Sequence, residues 1–171
     1  NNNQLTGEIP ESFENLNLYY LWLSKNDLTG EIPESVCNVT GYGSQLRLDY
    51  NSFTGEIPEC ICTMTDLWVL KINHNELTGH LPDCFESFNH IGYFYVNNNN
   101  LSGSIPESIC ETLPWIYSGS LSSNSFCPPY PSCIEDYVGE QDTSECFICD
   151  EGYVGLWGVC YNIDETTELD L

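Results

Sequence analysis

The chain has only three basic residues, Lys25, Arg47 and Lys71, against 26 carboxylates, giving a net charge of -23. Their spacing is ordered. Arg47 and Lys71 each stand four residues before an asparagine, and so do Trp22 and Tyr95. Lys25, Tyr50 and His74 stand immediately before the same asparagines, and Tyr20 and Tyr93 stand six before them. Cations interleaved with aromatic rings suit a binding surface, where rings give rigid contact area and cations give charge. Bond-making chemistry has no such support. No Gly-x-Ser-x-Gly, His-Glu-x-x-His or phosphate-loop motif occurs, so no enzyme activity is expected. His74 and His80 fall on different sides of the repeat described next and do not converge as metal ligands.

The carboxylates are also ordered. Glu8, Glu31 and Glu56 each follow a glycine, and Glu11, Glu34, Glu59, Asp83 and Glu107 each follow a proline. Stacked columns of this kind read as a solvated flank or as weak Ca²⁺ sites at Glu8, Glu31, Glu56, Glu11, Glu34 and Glu59. No other cofactor is expected. So acidic a chain disfavours nucleic acid and anionic membranes as partners. No run approaches the ~18 apolar residues of a membrane span.

These residues are positioned by a repeat. The stretch 26-NDLTGEIPESVC-37 returns at 51–62, 75–86 and 99–110, with a trace at 3–14. Asn3, Asn26, Asn51, Asn75, Asn99 and Asn124 are separated by 23, 25, 24, 24 and 25 residues. Before them lie alternating apolar pairs, Leu21/Leu23, Leu46/Leu48, Leu70/Ile72 and Phe94/Val96, which read as short strands. Positions six, four, two and one before each asparagine are expected to face solvent.

The pattern L-x-L-x-x-N-x-L-[TS]-G-x-[IL]-P resembles the plant-type leucine-rich repeat, as in polygalacturonase-inhibiting proteins and receptor ectodomains. The resemblance implies a right-handed solenoid with a parallel sheet on its concave side, a second short strand and a 3-10 turn in each coil. It also implies a ligand on the concave face, at Tyr20, Trp22, Lys25, Arg47, Tyr50, Lys71, His74, Tyr93 and Tyr95. One coil cannot bury its own apolar face, but stacked coils share a core. Leu28, Phe53, Leu77 and Leu101 form one expected inward row; Ile32, Ile57, Leu81 and Ile105 form another. The asparagines suit a ladder of side-chain amides bonded to backbone at the bend.

Ten cysteines in 171 residues indicate an oxidising compartment, so an extracellular or cell-surface location is expected. In the coils, cysteine occurs only two or four residues after the proline. Stacked coils lie ~5 Å apart, within disulfide reach, which predicts Cys37–Cys60, Cys62–Cys84 and Cys110–Cys133. For the remaining four, Cys127–Cys146 and Cys149–Cys160 are favoured over two other connectivities. The Cys146-x-x-Cys149 spacing also fits half of a zinc site.

The expected organisation is repeats over 1–133, a cysteine-rich cap over 134–161 that faintly resembles an EGF-type loop, and an acidic tail over 162–171. The expected function is non-catalytic recognition or adhesion toward a protein or glycan. The alternative is a structural subunit of an extracellular filament, sheath or surface layer, self-associating end to end, since Asn1-Asn2-Asn3 falls in mid-coil. Asn38-Val-Thr40 and Asn100-Leu-Ser102 fit the N-glycosylation sequon.

Overall fold

The computed structural model describes residues 2–16, 18–112, 116–135 and 137–146, and the backbone of 153–156 and 159–162. The described strands are β1 (Thr6–Gly7), β2 (Tyr20–Trp22), β3 (Asp27–Glu31), β4 (Ser44–Arg47), β5 (Ser52–Thr54), β6 (Leu67–Lys71), β7 (Tyr93–Tyr95), β8 (Ser102–Ser104), β9 (Ser118–Ser120), β10 (Ser125–Cys127), β11 (Tyr153–Leu156) and β12 (Val159–Asn162). Five of them form one long parallel sheet in the order β2-β4-β6-β7-β9. Leu21, Leu46, Leu70 and Phe94 lie in register along it and all are buried in the core. Their neighbours in sequence point to the opposite face, as the pleat requires.

The second strand of each coil builds smaller parallel sheets, β1-β3-β5 and β8-β10. Beyond it the chain turns. Pro10, Pro33 and Pro58 start 3-10 turns at Glu11–Asn15, Glu34–Asn38 and Glu59–Thr63, with φ of -74°, -75° and -65°, the value the ring imposes. A further 3-10 turn spans Phe85–Ser87, and the next coil makes one helical turn, α1 (Ile109–Thr112). Leu28, Phe53, Leu77, Leu101 and Phe126 are buried as one row, and Ile9, Ile32, Ile57, Leu81 and Ile105 as another. The molecule is a solenoid whose core runs its length.

The asparagines form the ladder. Asn75 Oδ1 accepts from the Phe53 N–H at 3.1 Å, and its Nδ2 donates to the carbonyls of Leu48 and Ile72 at 3.1 and 2.9 Å. Asn51, Asn99 and Asn124 repeat this geometry one coil apart. The ladder does not stop at the last asparagine. Gln141 accepts from the Phe126 N–H at 3.2 Å and donates to Leu121 and Val138 carbonyls at 3.1 and 2.7 Å. Its longer side chain makes the same three bonds from a coil of only 17 residues. The V-x-x-Q spacing at 138–141 matches the L-x-x-N of the repeats and was overlooked in the sequence because the residue type changed.

Disulfides join Cys37 to Cys60, Cys62 to Cys84, Cys110 to Cys133 and Cys127 to Cys146. The first three link successive coils at Cα separations of 6.0, 5.6 and 5.8 Å. Cys146, in its bond to Cys127, is no zinc ligand. The expected Cys149–Cys160 pair lies outside the described residues, although β11 and β12 pair as an antiparallel hairpin. Tyr130 packs beside this end, where its hydroxyl donates to the Phe126 carbonyl and burial pushes its pKa up.

Gly55 shows why the glycine column exists. Its φ is +74°, and an added Cβ would lie 2.8 Å from Cγ of Glu31 in the preceding coil. Glu31 can swing away, but the backbone cannot change sign without breaking β5. Gly55→Ala is therefore expected to destabilise by about 1–2 kcal/mol, read as a lower urea midpoint with an unchanged slope. A loss under a few tenths of a kcal/mol would contradict this account.

Candidate ligand-binding face

The long sheet gathers the predicted residues. Trp22, Arg47, Lys71 and Tyr95 occupy one row across four adjacent strands, each in register with the next. The Arg47 guanidinium carbon lies 5.0 Å from the centre of the Trp22 ring, and the Lys71 ammonium 4.6 Å from the Tyr95 ring. Tyr95 is fixed in turn by a hydrogen bond with Ser118. Tyr20 and Tyr93 flank the row at positions six before the asparagines, and Tyr20 lies 5.5 Å from Trp22. A ring beside a cation holds it by the ring quadrupole without neutralising its charge.

A second row runs parallel to the first. Lys25 lies 5.4 Å from the Tyr50 ring, Tyr50 stacks on His74 at 4.1 Å and 13°, and His74 Nε2 is 3.5 Å from Asn98 Nδ2. Lys25, Tyr50 and His74 have φ of 57°, 56° and 54°. The left-handed region is least costly for glycine and asparagine, and Asn2 and Asn98 occupy the same position of their coils. Lysine, tyrosine and histidine there are not explained by backbone preference. Ser123 shares the conformation at 56°, so it belongs to the bend of every coil.

One expected column turns inward. Ser24, Asp49 and Asn73, two residues before the asparagines, are buried rather than solvent-facing. The chain is already bending there, and the Ser24 hydroxyl donates to Asp49 Oδ1 at 2.6 Å. Among the described residues, the buried side-chain atoms without a hydrogen-bond partner include Gln45 Oε1, Arg47 Nε, Asn73 Oδ1 and Asn97 Oδ1. Gln45 and Arg47 belong to the face itself and Asn73 and Asn97 to the column two before the asparagines, so hydrogen-bonding capacity on this side of the coil is not fully used within the chain.

The flank is built differently. Glu8, Glu31 and Glu56 lie over Gly30, Gly55 and Gly79 of the next coil, and with Glu11, Glu34 and Glu59 they line one open cleft. Each carboxylate is exposed. Among the described residues, no group of three or more His, Cys, Asp or Glu side chains is close enough to hold a metal ion. His74 stacks on Tyr50 in the second row, and His80 lies over Gly103 on the flank. Both sequon asparagines, Asn38 and Asn100, are exposed. No helix among the described residues is long and apolar enough to cross a membrane.

Aromatic residues outside the repeat columns were missed by the sequence reading. Trp68 lies 5.5 Å from Tyr117 and 6.2 Å from Tyr93, and Tyr42 packs edge-on to His90 at 6.4 Å. Tyr42 and Tyr117 stand just ahead of β4 and β9 and Trp68 near the start of β6, where the coil template assigns no fixed residue type.

Known proteins share this geometry. The family model described as Leucine Rich Repeat matches residues 1–16, 17–39, 44–64, 66–88 and 90–112, more than half of the chain. The crystal structure of a TDR receptor is similar at 36% identity and a TM-score of 0.70, over 77% of this chain and 22% of that one. The Arabidopsis receptor kinase HAESA, solved with the peptide hormone IDA and the co-receptor SERK1, is similar at 32% identity and a TM-score of 0.70, over 78% and 22%. The BIR3–SERK2 complex from Arabidopsis thaliana is similar at 33% identity and a TM-score of 0.62, over 76% and 69%. The chain thus spans less than a quarter of the TDR and HAESA chains. No curated protein sequence matches it.

Proposed function

The chain belongs to the leucine-rich-repeat family, as a plant-type member resembling receptor-kinase ectodomains, and on that premise we propose that its long sheet holds an extended, carboxylate-bearing segment of a partner protein. The fold is that of a non-catalytic binding module. Its disulfides and its likeness to ectodomains are consistent with an extracellular location. One observation carries the reading: Trp22, Arg47, Lys71 and Tyr95 form a single row, with both cations held against rings. Among the described residues none of these cations is paired with a carboxylate, although the chain has 26 of them. Cations kept free in so acidic a chain point to an anion brought from outside. The strands lie side by side, so a segment crossing them meets aromatic, cation, cation and aromatic in turn. Peptide recognition also suits the relatives, since HAESA is solved with a peptide hormone.

The test is a titration with a glutamate-rich peptide, a neutral peptide of equal length and an anionic oligosaccharide. Arg47→Ala combined with Lys71→Ala is expected to lower affinity for the acidic peptide by about tenfold or more. The urea midpoint should hold, because both side chains lie outside the core. Unchanged binding by the double variant would sink the proposal. Binding of the oligosaccharide alone would transfer the site to a glycan.

A further inference from the structure

The coils follow one template closely, and three departures from it meet at one place. The first is the turn Gly41-Tyr42-Gly43, whose glycines have φ of 106° and 79° and which leaves Tyr42 81% exposed. The second is Trp68. The pairing of β4 with β6 passes from Ser44↔Leu67 directly to Gln45↔Val69, so Trp68 is an extra residue with no partner in β4. Bulges of this kind re-aim a side chain. The third is Gly92, where an added Cβ would lie 2.7 Å from the Trp68 ring. The indole occupies its place because the next coil offers no side chain there. Each of these departures exposes or positions an aromatic ring. Several local rules broken at one place are a mark of functional sites.

Together they shape a groove of about 310 Å³ lined by Tyr20, Tyr42, Gly43, Asp66, Trp68 and His90. Four rings, those of Tyr20, Tyr42, Trp68 and His90, and one carboxylate face a space near the lower limit for a small-ligand pocket. Asp66 is oriented by Asn89, whose Nδ2 donates to its Oδ1 at 3.1 Å. The groove is lined by neither lysine nor arginine, and the whole chain carries a charge of -23. Ring faces are electronegative, so aromatic walls with a fixed carboxylate favour a cation with an apolar stem. An anion would meet repulsion from Asp66, and a purely apolar group would leave that carboxylate desolvated.

We propose that this groove is a subsite for a cationic side chain, an arginine or lysine, of a partner polypeptide. It adjoins the Arg47 and Lys71 row through Tyr20, which borders both, but it takes a group of the opposite charge and stands or falls independently of the acidic-segment reading. The probe is a capped pentapeptide with a central arginine, compared with the same peptide carrying citrulline, which keeps the shape and loses the charge. Binding is read by calorimetry and by the Trp68 indole N–H resonance. The arginine peptide is expected to bind about tenfold more tightly than the citrulline peptide, and to shift the Trp68 signal. Trp68→Leu should lower affinity about tenfold and Asp66→Asn about threefold. Arg47→Ala with Lys71→Ala should not lower it. Equal binding of the two peptides, preference for a glutamate peptide, or no Trp68 shift at about 10 mM arginine peptide would each overturn the proposal. If Trp68→Leu fails to fold, Asp66→Asn on the surface still decides it.

Discussion

Asn75→Ala is expected to destabilise the protein by about 3–4 kcal/mol, more than any single surface substitution. The side chain is buried and makes one acceptor and two donor bonds to backbone. Its loss leaves the Phe53 N–H without a partner in the interior, at roughly 1–3 kcal/mol. The carbonyls of Leu48 and Ile72 fare better, because each keeps a bond to another ladder asparagine, Asn51 or Asn99. Those two losses add about 0.5–1.5 kcal/mol each at most. Asn75→Asp should be no milder, since its carboxylate would face the same two carbonyls. Urea unfolding with intact disulfides measures the total, and hydrogen exchange at the Phe53 amide isolates the local part. A change below about 1 kcal/mol would show that water replaces the ladder without penalty.

Cys62→Ser combined with Cys84→Ser is expected to remove about 3 kcal/mol. The bond closes a loop of one coil, with a sequence separation of 22, and its Cα atoms stand 5.6 Å apart. That separation is close to the natural spacing of stacked coils, so the crosslink fits without reshaping the solenoid. Its effect falls on the unfolded chain, which loses freedom when one coil is tied to the next. The bond leaves from the turn beyond Pro58, away from the long sheet. Peptide binding by the Arg47 and Lys71 row should therefore change less than twofold in the same variant, at temperatures where it is folded. A large loss of affinity with little loss of stability would contradict that separation.

Much of this architecture was legible in the sequence because a solenoid repeats its constraints. Leu28, Phe53, Leu77 and Leu101 declare one buried row by recurring at one offset, and a single period predicts all of them. The ladder asparagines are readable for the same reason, and so is the cysteine spacing, since residues two and four after the proline meet across one coil step. Features that occur once were not readable. Gln141 performs an asparagine's role from a shortened coil. The bulge at Trp68 shows only as one displaced residue in strand pairing. Ser24, Asp49 and Asn73 look solvent-facing if strand alternation is extended past the strand's end, but the bend turns them inward. On the binding face, position was legible and contact was not. Spacing placed Arg47 beside Trp22, and only the structure shows the guanidinium lying over the ring.

The ladder has a direction. Each asparagine completes the bend of the coil before it, as Asn75 does for Phe53, and leaves its own coil's bend to the next. On a ribosome the amino-terminal coil emerges first with its bend unpaired. It must wait for about 24 further residues, roughly 1–5 s of synthesis, before the asparagine that closes it is made. Folding therefore trails translation by one coil, and each nascent end is briefly adhesive toward any chain offering a similar amide. Gln141 supplies the last amide among the described residues, and it arrives after only 17 residues rather than a full coil.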